Sequence, residues 1–504
     1  MTTVLHGSVP PLELAVPEPE DDETPQKLAD PYYPPWKFGY MFPDLQHDSQ
    51  NRLETGPRTF EGLRELGSEG MKEPLKDEND DFDEIIPGVP VPTIYTFFGQ
   101  FVDHDITFER GSRNINLKTA APIDPKYIEK FISNSRSPTL DLDNIYGPNF
   151  VGELSPRDPQ RPDKMRIDKA ILAEPSRGLA PGKDLYNDLP RGEDGKALIG
   201  DPRDDQNVIL AQLHVAFLRA HNSLVDRGLK FGEAQKQLRQ HYQWIVLDDF
   251  LERIADPNIV KRVRYRGPKF FNPSAKTFFM PFEFSIAAFR FGHSKVRKSY
   301  SHFNSLQKSA ELDDLFKNAG RPLLSDWIID WSAFLDAEGA AHFPRPIDPA
   351  LTATLSQLKP AQIGEGDPEN NLAVRNLLRG YIFSLPTGQA VADAMASQGI
   401  KRMTPAQIMS WAIEYDVKEQ IEILKNFQFL ERTPLWFYIL AEATYYSRGY
   451  HLGPVGSTIV AEVLIGILRN STDSILCDPH WRPTLGRTPG KFDLEDLLRL
   501  AGVY

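Results

Sequence analysis

The segment from about residue 205 to residue 226 has the apolar spacing of one long helix. Its apolar side chains recur at intervals of three and four residues, and a glycine stands just beyond its end, where helices commonly stop. The repeating positions are Ile209, Leu210, Leu213, Phe217 and Leu218. Few stretches of the chain alternate apolar and polar residues with period two, which is the pattern of a strand. The sequence therefore predicts a mainly α fold with little β structure.

Three further helices are predicted over residues 92–104, 282–296 and 434–446. The first has Pro92 near its start, where proline is tolerated. The third is aromatic and nearly all apolar, so we expect it in the core. In the second, Ile286, Phe289 and His293 fall at i, i+3 and i+7. This spacing places His293 on the apolar side of that helix.

Residues 1–90 differ in composition from the rest of the chain. They are rich in proline, aspartate and glutamate, and they include Pro34-Pro35 and the acidic run from Asp77 to Glu84. Such segments bury little apolar surface and are often irregular. We expect residues 1–90 to form a partly irregular N-terminal extension and residues 91–504 to form a single large catalytic domain.

Charge and cysteine content exclude some classes of protein. The 504 residues carry a net charge of −13, which argues against a nucleic-acid partner or an anionic membrane partner. Cys477 is the only cysteine, so no intramolecular disulfide can form. The longest strongly apolar run, Ile459 to Leu468, contains Glu462 and is too short to span a bilayer. No signal-peptide pattern stands at the start, so we expect a cytoplasmic protein or export by an unconventional route.

The first chemical motif is Gly-Gln-Phe-Val-Asp-His-Asp, from Gly99 to Asp105. On a helix, Gln100 and His104 are one turn apart and share a face. A histidine between two carboxylates can act as a general base, a metal ligand or a structural residue of the core. The motif alone leaves these three interpretations open.

The second motif is Gly-Asp-Pro-Arg, which ends at Arg203 and precedes the long helix. An arginine at a helix start is usually a surface cation. His214 and His221 follow on one helix face and could be metal ligands, as in a metal hydrolase. Because no third ligand stands nearby, hydrogen-bonded packing residues are the favoured interpretation.

The third motif is Phe-Arg-Phe-Gly-His, from Phe289 to His293. A histidine on an apolar face beside a glycine suits a flat cofactor that must approach the backbone closely. For a single histidine, a hydrogen-bonded position in the core remains the alternative.

Together and in this order, the three motifs resemble those of the animal-type haem peroxidases, in the peroxidase–cyclooxygenase superfamily, and especially of its bacterial members. The resemblance spans about residues 90 to 450. It implies a single helical domain that binds haem b, reduces hydrogen peroxide through a ferryl intermediate and oxidises a small organic or halide donor. Such an enzyme would serve a response to oxidative stress.

The resemblance assigns roles residue by residue. His104 matches the distal histidine of the family, Gln100 matches the glutamine of the distal pocket, and Arg203 matches the distal arginine. On the other side, His293 matches the proximal ligand of the iron. Arg290 and Asp103 are also expected to contact the cofactor. Arg290 matches the arginine three positions before that ligand, and Asp103 matches a carboxylate that many members esterify to the haem.

A calcium site is implied in the same way. Alternate residues of an extended loop point to one side, and here those residues carry oxygen atoms, which suit a hard cation. The family places a calcium-binding loop at this point, just before a Tyr-Gly pair such as Tyr146-Gly147. The expected ligands are Ser137, Thr139, Asp141, Asp143 and Asp105. By its residues alone, this is a polar turn.

Two positions depart from the family pattern. Gln206 stands where many members have a glutamate that forms a second ester, and Asp204 and Asp205 project away from that direction on a helix. We therefore expect at most one ester link, through Asp103. Gln389 falls where the family has an asparagine bonded to the proximal imidazole, and a glutamine could accept the same hydrogen bond.

Two alternative functions remain open. A fatty-acid dioxygenase of the same superfamily carries a catalytic tyrosine three residues before the proximal histidine, and here that position is Arg290. A non-enzymatic haem-binding or sensor protein would need His293 but would have little use for His104 paired with Arg203. The sequence does not identify the reducing substrate.

Overall fold

A computed structural model of the chain describes residues 36–74, 90–110, 121–147, 155–173, 186–271, 273, 278–335, 343–358 and 370–504. The fold is mainly α, as predicted, and its strands are short. The longer α-helices are Pro57–Glu65, Ile94–Ile106, Pro125–Phe131, Val208–Asp226, Phe231–Trp244, Pro257–Arg266, Leu372–Ile382, Gly388–Ala394, Lys418–Asn426, Leu435–Ser447, Pro454–Asn470 and Leu494–Leu500.

Shorter helical segments connect these elements. The short α-helices are Asp143–Tyr146, Leu251–Ile254, Leu312–Lys317, Ser332–Leu335, Ala353–Ser356, Pro405–Ile408 and Ser410–Glu414. Wider π turns occur at Leu66–Gly70, Ile245–Phe250 and Glu283–Ala287. Tighter 3₁₀ segments are Pro43–His47, Ser49–Asn51, Pro202–Asp205, Ala288–Lys295, Ser325–Trp327, Ala396–Gln398 and Ile475–Cys477.

The strands form three small sheets. The largest has four strands in the spatial order Glu109–Arg110, Ser133–Asn134, Trp36–Gly39 and Phe279–Pro281. Its last two strands are parallel and the other pairs are antiparallel. Two-stranded antiparallel sheets pair Asp168–Lys169 with Asn187–Asp188 and Ser299–Ser301 with Ser309–Glu311.

Two of the predicted helices pack against each other and form the middle of the core. We call Ile94–Ile106 the Gln100 helix and Val208–Asp226 the central helix. The rings of Phe101 and Phe217 stack across this contact with their centroids 4.4 Å apart. Stacked aromatic pairs add about 0.5–1.5 kcal/mol to the free energy gained by apolar burial. This contact fixes the position of the motif that contains Gln100 relative to residues 202–214.

The segment that carries His293 is less regular than predicted. We call Glu283–Lys295 the His293 segment: it consists of the π turn Glu283–Ala287 followed by the 3₁₀ segment Ala288–Lys295. Turns of this kind change the direction of side chains and often occur at functional sites. His293 is nevertheless buried, as its apolar surroundings predicted.

The described part of the predicted N-terminal extension, residues 36–74, contributes to the main core. The strand Trp36–Gly39 lies between two strands from later in the chain, and Phe38, Leu63 and Leu66 are buried in the main apolar cluster. The acidic run that begins at Asp77 lies outside the described residues. The division of the chain at residue 90 stays a prediction.

One described helix, the central helix, is long and apolar enough to cross a membrane by length and composition alone. Within its most apolar window, 78% of the residues are buried inside the protein. A buried core helix meets the same criterion, so this observation is weak evidence for a membrane span.

Candidate functional site: an apolar cavity beside His293

His293 lines a cavity of about 920 Å³, a volume that includes the part open to solvent. The Gln100 helix and residues 206 and 207 contribute polar groups to its wall, and the His293 segment contributes Phe289, Phe291 and Gly292. Most other lining residues are aliphatic or aromatic: Tyr95, Phe97, Ile254, Val296, Leu312, Phe316, Leu355, Leu358 and Leu372.

The ring of His293 is held by Asn376, which lies on the helix Leu372–Ile382. Nδ2 of Asn376 is 2.7 Å from Nδ1 of His293. Burial, with smaller contributions from the cations Arg290 and Arg375, lowers the pKa of His293 well below its ordinary value. The imidazole is therefore neutral, which is the form that binds a metal ion.

The prediction that Gln389 bonds to this imidazole is wrong. Nε2 of Gln389 donates to Thr433 and to the carbonyl of Leu430, and its Oε1 accepts from the backbone N–H of Thr433. These three bonds use both ends of the amide to fix the turn before the helix Leu435–Ser447. Asn376 takes the expected place on the imidazole, and the motif comparison missed it.

Two features of the wall suit a mainly apolar cofactor that approaches the backbone closely. A Cβ atom built on Gly292, next to His293, would meet no atom within 4 Å, so the backbone there borders open space. Oε1 of Gln206 is buried and has no hydrogen-bond partner among the described residues. A buried acceptor without a hydrogen bond lowers the stability of the fold unless a ligand or a water molecule donates to it. A haem group would fit this wall, and His293 would hold its iron.

Gln100 and Gln206 both line the cavity, and Nδ2 of Asn207 donates to Oε1 of Gln100 over 3.4 Å. His104 lies one helical turn beyond Gln100 on the same face and is fully buried. The structure thus brings Gln100 and His293 to one cavity and places His104 behind that wall. Among the described residues, Arg203 and Asp103 are not in the lining either.

Nδ1 of His104 lies 2.7 Å from Oδ1 of Asp204. The other carboxylate oxygen of Asp204 lies 2.7 Å from Nδ1 of His214. His214 is therefore a hydrogen-bonded residue of the core, as the favoured interpretation predicted. The aspartate between these histidines was considered in the sequence only as a candidate for attachment to haem.

His221 has partners different from those of His214. Its Nδ1 lies 2.9 Å from the hydroxyl of Tyr146, and its Nε2 lies 3.0 Å from the carbonyl of Asp163. Burial lowers the pKa of His221 to about 4, so this ring is neutral at pH 7. The two histidines of the central helix thus serve separate hydrogen-bond networks, which argues against a metal hydrolase built on this pair.

Arg203 forms a buried ion pair with Asp201, and Arg136 joins it from the other side. Nη2 of Arg203 also donates to the carbonyls of His104 and Thr107, at 3.3 and 2.5 Å. Burial alone would raise the pKa of Asp201, but the two guanidinium groups hold that pKa far below its ordinary value. Arg203 therefore ties the Gly-Asp-Pro-Arg motif to the end of the Gln100 helix.

The glycine of that motif is required by close packing. A Cβ on Gly200 would lie 2.3 Å from the carbonyl oxygen of Asp143 and 2.6 Å from that of Asn144. Real Cβ atoms do not approach backbone atoms so closely, so any larger residue would push the motif away from residues 143–144. Gly200 thus fixes the distance between Arg203 and the loop of the expected calcium site.

The Gln100 helix and the His293 segment also meet through a charged pair. Nη1 of Arg290 lies 3.7 Å from Oδ2 of Asp103, and both side chains are buried. Nε of Arg290 donates to the carbonyl of Ser285, while Trp436 donates to the carbonyl of Arg290. Burial lowers the pKa of Arg290, and the neighbouring Asp103 opposes that shift.

Comparison with known proteins matches part of the chain to a family. Residues 127–330 match the model of the animal haem peroxidase family. The match covers less than half of the chain and marks this segment as an animal haem peroxidase domain. The matched residues include Arg203, Asp204, Arg290 and His293.

Relatives in sequence also carry peroxidase names. The chain is 28% identical over 247 residues to a peroxidase-like protein of Margaritifera margaritifera, which covers 40% of this chain and 31% of the relative. It is 27% identical over 263 residues to human thyroid peroxidase, which covers 49% of this chain and 27% of the relative. The aligned part thus spans less than a third of the length of either relative.

Solved structures show the fold of the peroxidase domain. Peroxidase A from Dictyostelium discoideum superposes with a TM-score of 0.53 at 14% identity and covers 88% of each chain. A fatty acid α-dioxygenase from Arabidopsis thaliana superposes with a TM-score of 0.52 at 14% identity, covering 84% of this chain and 71% of the other. This fold therefore occurs in proteins with both activities, and it does not choose between them.

The expected calcium ligands of the peroxidase domain lie close together, but among the described residues no three His, Cys, Asp or Glu side chains form an assembled metal site. Asp105 accepts from the backbone N–H of Asp143, and Thr139 donates to Asp141. The hydroxyls of Ser137 and Thr139 lie 2.5 Å apart. Burial raises the pKa of Asp105 and of Asp141 well above the ordinary value, and the neighbouring carboxylates add to the effect.

Proposed function

We propose that this chain is a haem peroxidase that reduces hydrogen peroxide and oxidises an organic or halide donor. The proposal rests on His293, a neutral buried imidazole on the wall of an apolar cavity, whose Nδ1 is engaged by Asn376. Metal-binding histidines usually donate the N–H of the second ring nitrogen to an acceptor, which the oxygen of the Asn376 amide would be after rotation by 180°. Nε2 of His293 would then bind the iron of haem b.

Haem, when bound, would supply the redox chemistry, and the chain would supply position, protons and charge. Gln100 and Gln206 bring amide groups to the wall of the same cavity. They would bind peroxide or water by hydrogen bonds at the open side of the cofactor. The aliphatic lining would exclude bulk water from the reacting atoms.

His104 would move the proton. His104 shares a helix face with Gln100, and Asp204 holds its Nδ1, so Nε2 is the ring nitrogen that would take part in proton transfer. It would accept the proton of the nearer peroxide oxygen and deliver it to the farther one, which leaves as water. Arg203, linked to the carbonyl of His104, would stabilise the negative charge that develops as the oxygen–oxygen bond breaks.

Arg290 distinguishes this proposal from a fatty-acid dioxygenase. The dioxygenases that the sequence resembles carry a catalytic tyrosine three residues before the proximal histidine, whereas here a guanidinium group stands there and faces Asp103. An arginine has no phenolic hydrogen to lose, so it cannot provide the tyrosyl radical that abstracts hydrogen from a fatty acid.

Calcium is the second cofactor that we propose. Asp105 and Asp143 are buried and Asp141 is half-buried, and Oδ1 of Asp141 has no hydrogen-bond partner among the described residues. Calcium would remove the mutual repulsion of these carboxylates and accept the oxygen atoms of Ser137 and Thr139 as further ligands. It would thereby link the loop at residues 137–143 to the helix of His104.

The test uses the full chain loaded with haem. We expect a haem absorbance spectrum, a spectral change within seconds of mixing with hydrogen peroxide, and return to the starting spectrum when a phenol or a halide is added. His293→Ala should lose most of the haem, whereas His480→Ala, which removes an exposed histidine, should retain it. Full haem content and an unchanged spectrum in His293→Ala would overturn the assignment of the iron ligand.

Two further outcomes separate the alternatives. Oxygen uptake with a long-chain fatty acid, without any oxidation of phenol or halide, would replace the proposal with a dioxygenase. Haem binding without any reaction with peroxide would replace it with a haem-binding or sensor protein.

A further inference from the structure

Asp204 lies between two histidines at the heart of the domain. Its Oδ1 is 2.7 Å from Nδ1 of His104, and its Oδ2 is 2.7 Å from Nδ1 of His214. All three side chains are fully buried. A third donor, Nδ2 of Asn144, lies 3.0 Å from the same Oδ2.

The local backbone holds this carboxylate rigidly. Asp204 belongs to the one-turn 3₁₀ segment Pro202–Asp205, whose start is capped by the side chain of Asp201. Asn207 then caps the central helix, which carries His214. The two caps fix the backbone on both sides of Asp204. Its carboxylate contacts His104 on the Gln100 helix and His214 on the central helix.

The hydrogen-bond capacity of a carboxylate decides where the protons lie. An ionised aspartate only accepts hydrogen bonds, so each histidine must present a protonated Nδ1 to it. Burial would raise the pKa of Asp204, but the hydrogen bonds from His104 and His214 outweigh burial and hold the pKa below its ordinary value. With its proton on Nδ1, a neutral His104 has an unprotonated Nε2, which is the form that can accept a proton.

We propose that Asp204 is a positioning residue that fixes the tautomer and the ring orientation of His104, so that Nε2 of His104 acts as the proton acceptor for ligands entering the haem site. This inference rests on the proposed function, because it assigns His104 its task on the reacting side of haem. The new element is that proton acceptance by His104 depends on the carboxylate of Asp204, the residue that follows Arg203 in the chain. His214 and Asn144 hold that carboxylate from its other oxygen.

The amide variant Asp204→Asn distinguishes control of the His104 tautomer from a role in packing alone, because the amide has nearly the same size as the carboxylate. An amide has one accepting oxygen and one donating nitrogen. Within the described part of the chain, two donors, His214 and Asn144, face the Oδ2 position, whereas one, His104, faces Oδ1. The oxygen of the amide should therefore stay on the side of the two donors, and its nitrogen should face His104. His104 would then have to carry its proton on Nε2 and lose its accepting nitrogen.

The first readout is the association of cyanide with the ferric holoprotein. Cyanide enters as neutral HCN and must give its proton to a base before the anion binds the iron, so the rate reports the acceptor without any turnover. Removing a residue that orients a functional group typically costs about 10- to 100-fold. We expect Asp204→Asn to slow cyanide association by about that factor while haem content and the iron–histidine bond stay unchanged.

Asp205→Asn is the matched control. Asp205 is the next residue and is also a buried carboxylate, but it accepts from Arg191 rather than from a histidine. We expect this variant to lower stability and to leave the cyanide rate within about threefold of wild type. An equal slowing in both variants would reduce Asp204 to a structural role and overturn the inference.

The tautomer can also be read on the unmutated protein, so the test does not depend on the folding of a variant. In the diamagnetic ferrous–carbon monoxide form, ¹⁵N chemical shifts distinguish a protonated from an unprotonated ring nitrogen, and His104→Gln identifies the signals of His104. We expect a protonated Nδ1 and an unprotonated Nε2. The reverse arrangement would overturn the inference.

Failure of the proposed function gives a different result. If His104→Ala binds haem and reacts with both cyanide and peroxide at the wild-type rate, His104 is not the proton acceptor and the assigned mechanism fails. If His104→Ala slows both reactions by about 10²- to 10⁴-fold but Asp204→Asn slows neither, the mechanism stands and only the role of Asp204 is wrong.

Discussion

Nδ2 of Asn376 and Nδ1 of His293 lie 2.7 Å apart, although 83 positions separate the two residues in the chain. The amide can engage the ring in two ways. Its nitrogen can donate to an unprotonated Nδ1, or, after rotation of the amide by 180°, its oxygen can accept from Nδ1–H. Only the second arrangement leaves Nε2 unprotonated for a metal ion, so iron binding requires it.

The strength of this hydrogen bond should tune the iron–histidine bond. We expect Asn376→Ala to lower the iron–histidine stretching frequency in the ferrous protein, because His293 donates less electron density. Asn376→Asp should raise that frequency, since a carboxylate accepts the Nδ1 proton more strongly. Resonance Raman spectroscopy measures both shifts.

Gln389→Ala is the control for that measurement. Gln389 bonds to Thr433 and Leu430, so its loss should reduce stability by about 1–3 kcal/mol without moving the iron–histidine frequency. A shift in Gln389→Ala together with no shift in Asn376→Ala would restore the partner that the sequence predicted.

Periodicity explains why some elements were predicted and others were not. The central helix follows the three- and four-residue spacing of its apolar side chains, because one face must meet the Gln100 helix. The His293 segment has the same local spacing but folds as a π turn followed by a 3₁₀ segment. Apolar spacing records which residues are buried and does not record how tightly the backbone is wound.

The partners of His293 and His104 could not be predicted for a related reason. Asn376 follows Arg375 on the helix Leu372–Ile382, in a stretch that no chemical motif marked. Asp204 was interpreted only by its helical direction relative to Gln206. Each contacts its histidine through packing between elements far apart in the chain.

Replacement of His104 and Arg203 should separate haem binding from reaction with peroxide. We expect His104→Ala to retain haem and to slow the spectral change after mixing with peroxide by about 10²- to 10⁴-fold. Arg203→Lys keeps the positive charge but loses the paired donors to Asp201, so we expect a smaller loss of about 10-fold to 100-fold. Stopped-flow absorbance at several peroxide concentrations gives these rates. Wild-type rates in both variants would place the chemistry on other residues.

Removal of calcium should loosen the helix that carries His104. A ligand present at 100 times its dissociation constant stabilises the folded state by about 2.7 kcal/mol, so a chelator should lower the melting temperature by several degrees. Asp141→Asn should lower the melting temperature and abolish the effect of the chelator, whereas Asp194→Asn, an exposed carboxylate outside the loop, should change neither. Metal analysis that finds no calcium in active protein would refute this prediction.

Covalent attachment of haem should be limited to one bond. Asp103 is a buried carboxylate opposite Arg290, and Gln206 has no carboxylate with which to form a second ester. We expect turnover with peroxide to attach haem through Asp103 alone, and Asp103→Asn to prevent attachment. Mass spectrometry of haem peptides is the measurement. Attachment through Asp204 would also contradict the role that we assign to its carboxylate.

Glu442 should make stability depend on pH. Its carboxyl group is fully buried against the start of the helix Pro454–Asn470, where Oε2 accepts from the backbone N–H groups of Val455 and Gly456. Burial raises the pKa of Glu442 from 4.5 to about 8, despite these two donors. Between these two values the folded protein holds a proton that the unfolded chain releases, so the free energy of unfolding falls as pH rises. The contribution is fully present below pH 4.5 and is lost by about pH 8.

The size of this effect follows from one proton, which corresponds to a slope of about 1.4 kcal/mol per pH unit within that window. Glu442→Gln cannot ionise, so the free energy of unfolding of this variant should depend less steeply on pH by that amount. Glu419→Gln, which changes an exposed glutamate, should keep the wild-type slope. Urea unfolding of the three proteins at pH 5, 6, 7 and 8 measures the difference. Parallel pH profiles for wild type and Glu442→Gln would show that the folded protein ionises Glu442 as readily as the unfolded chain.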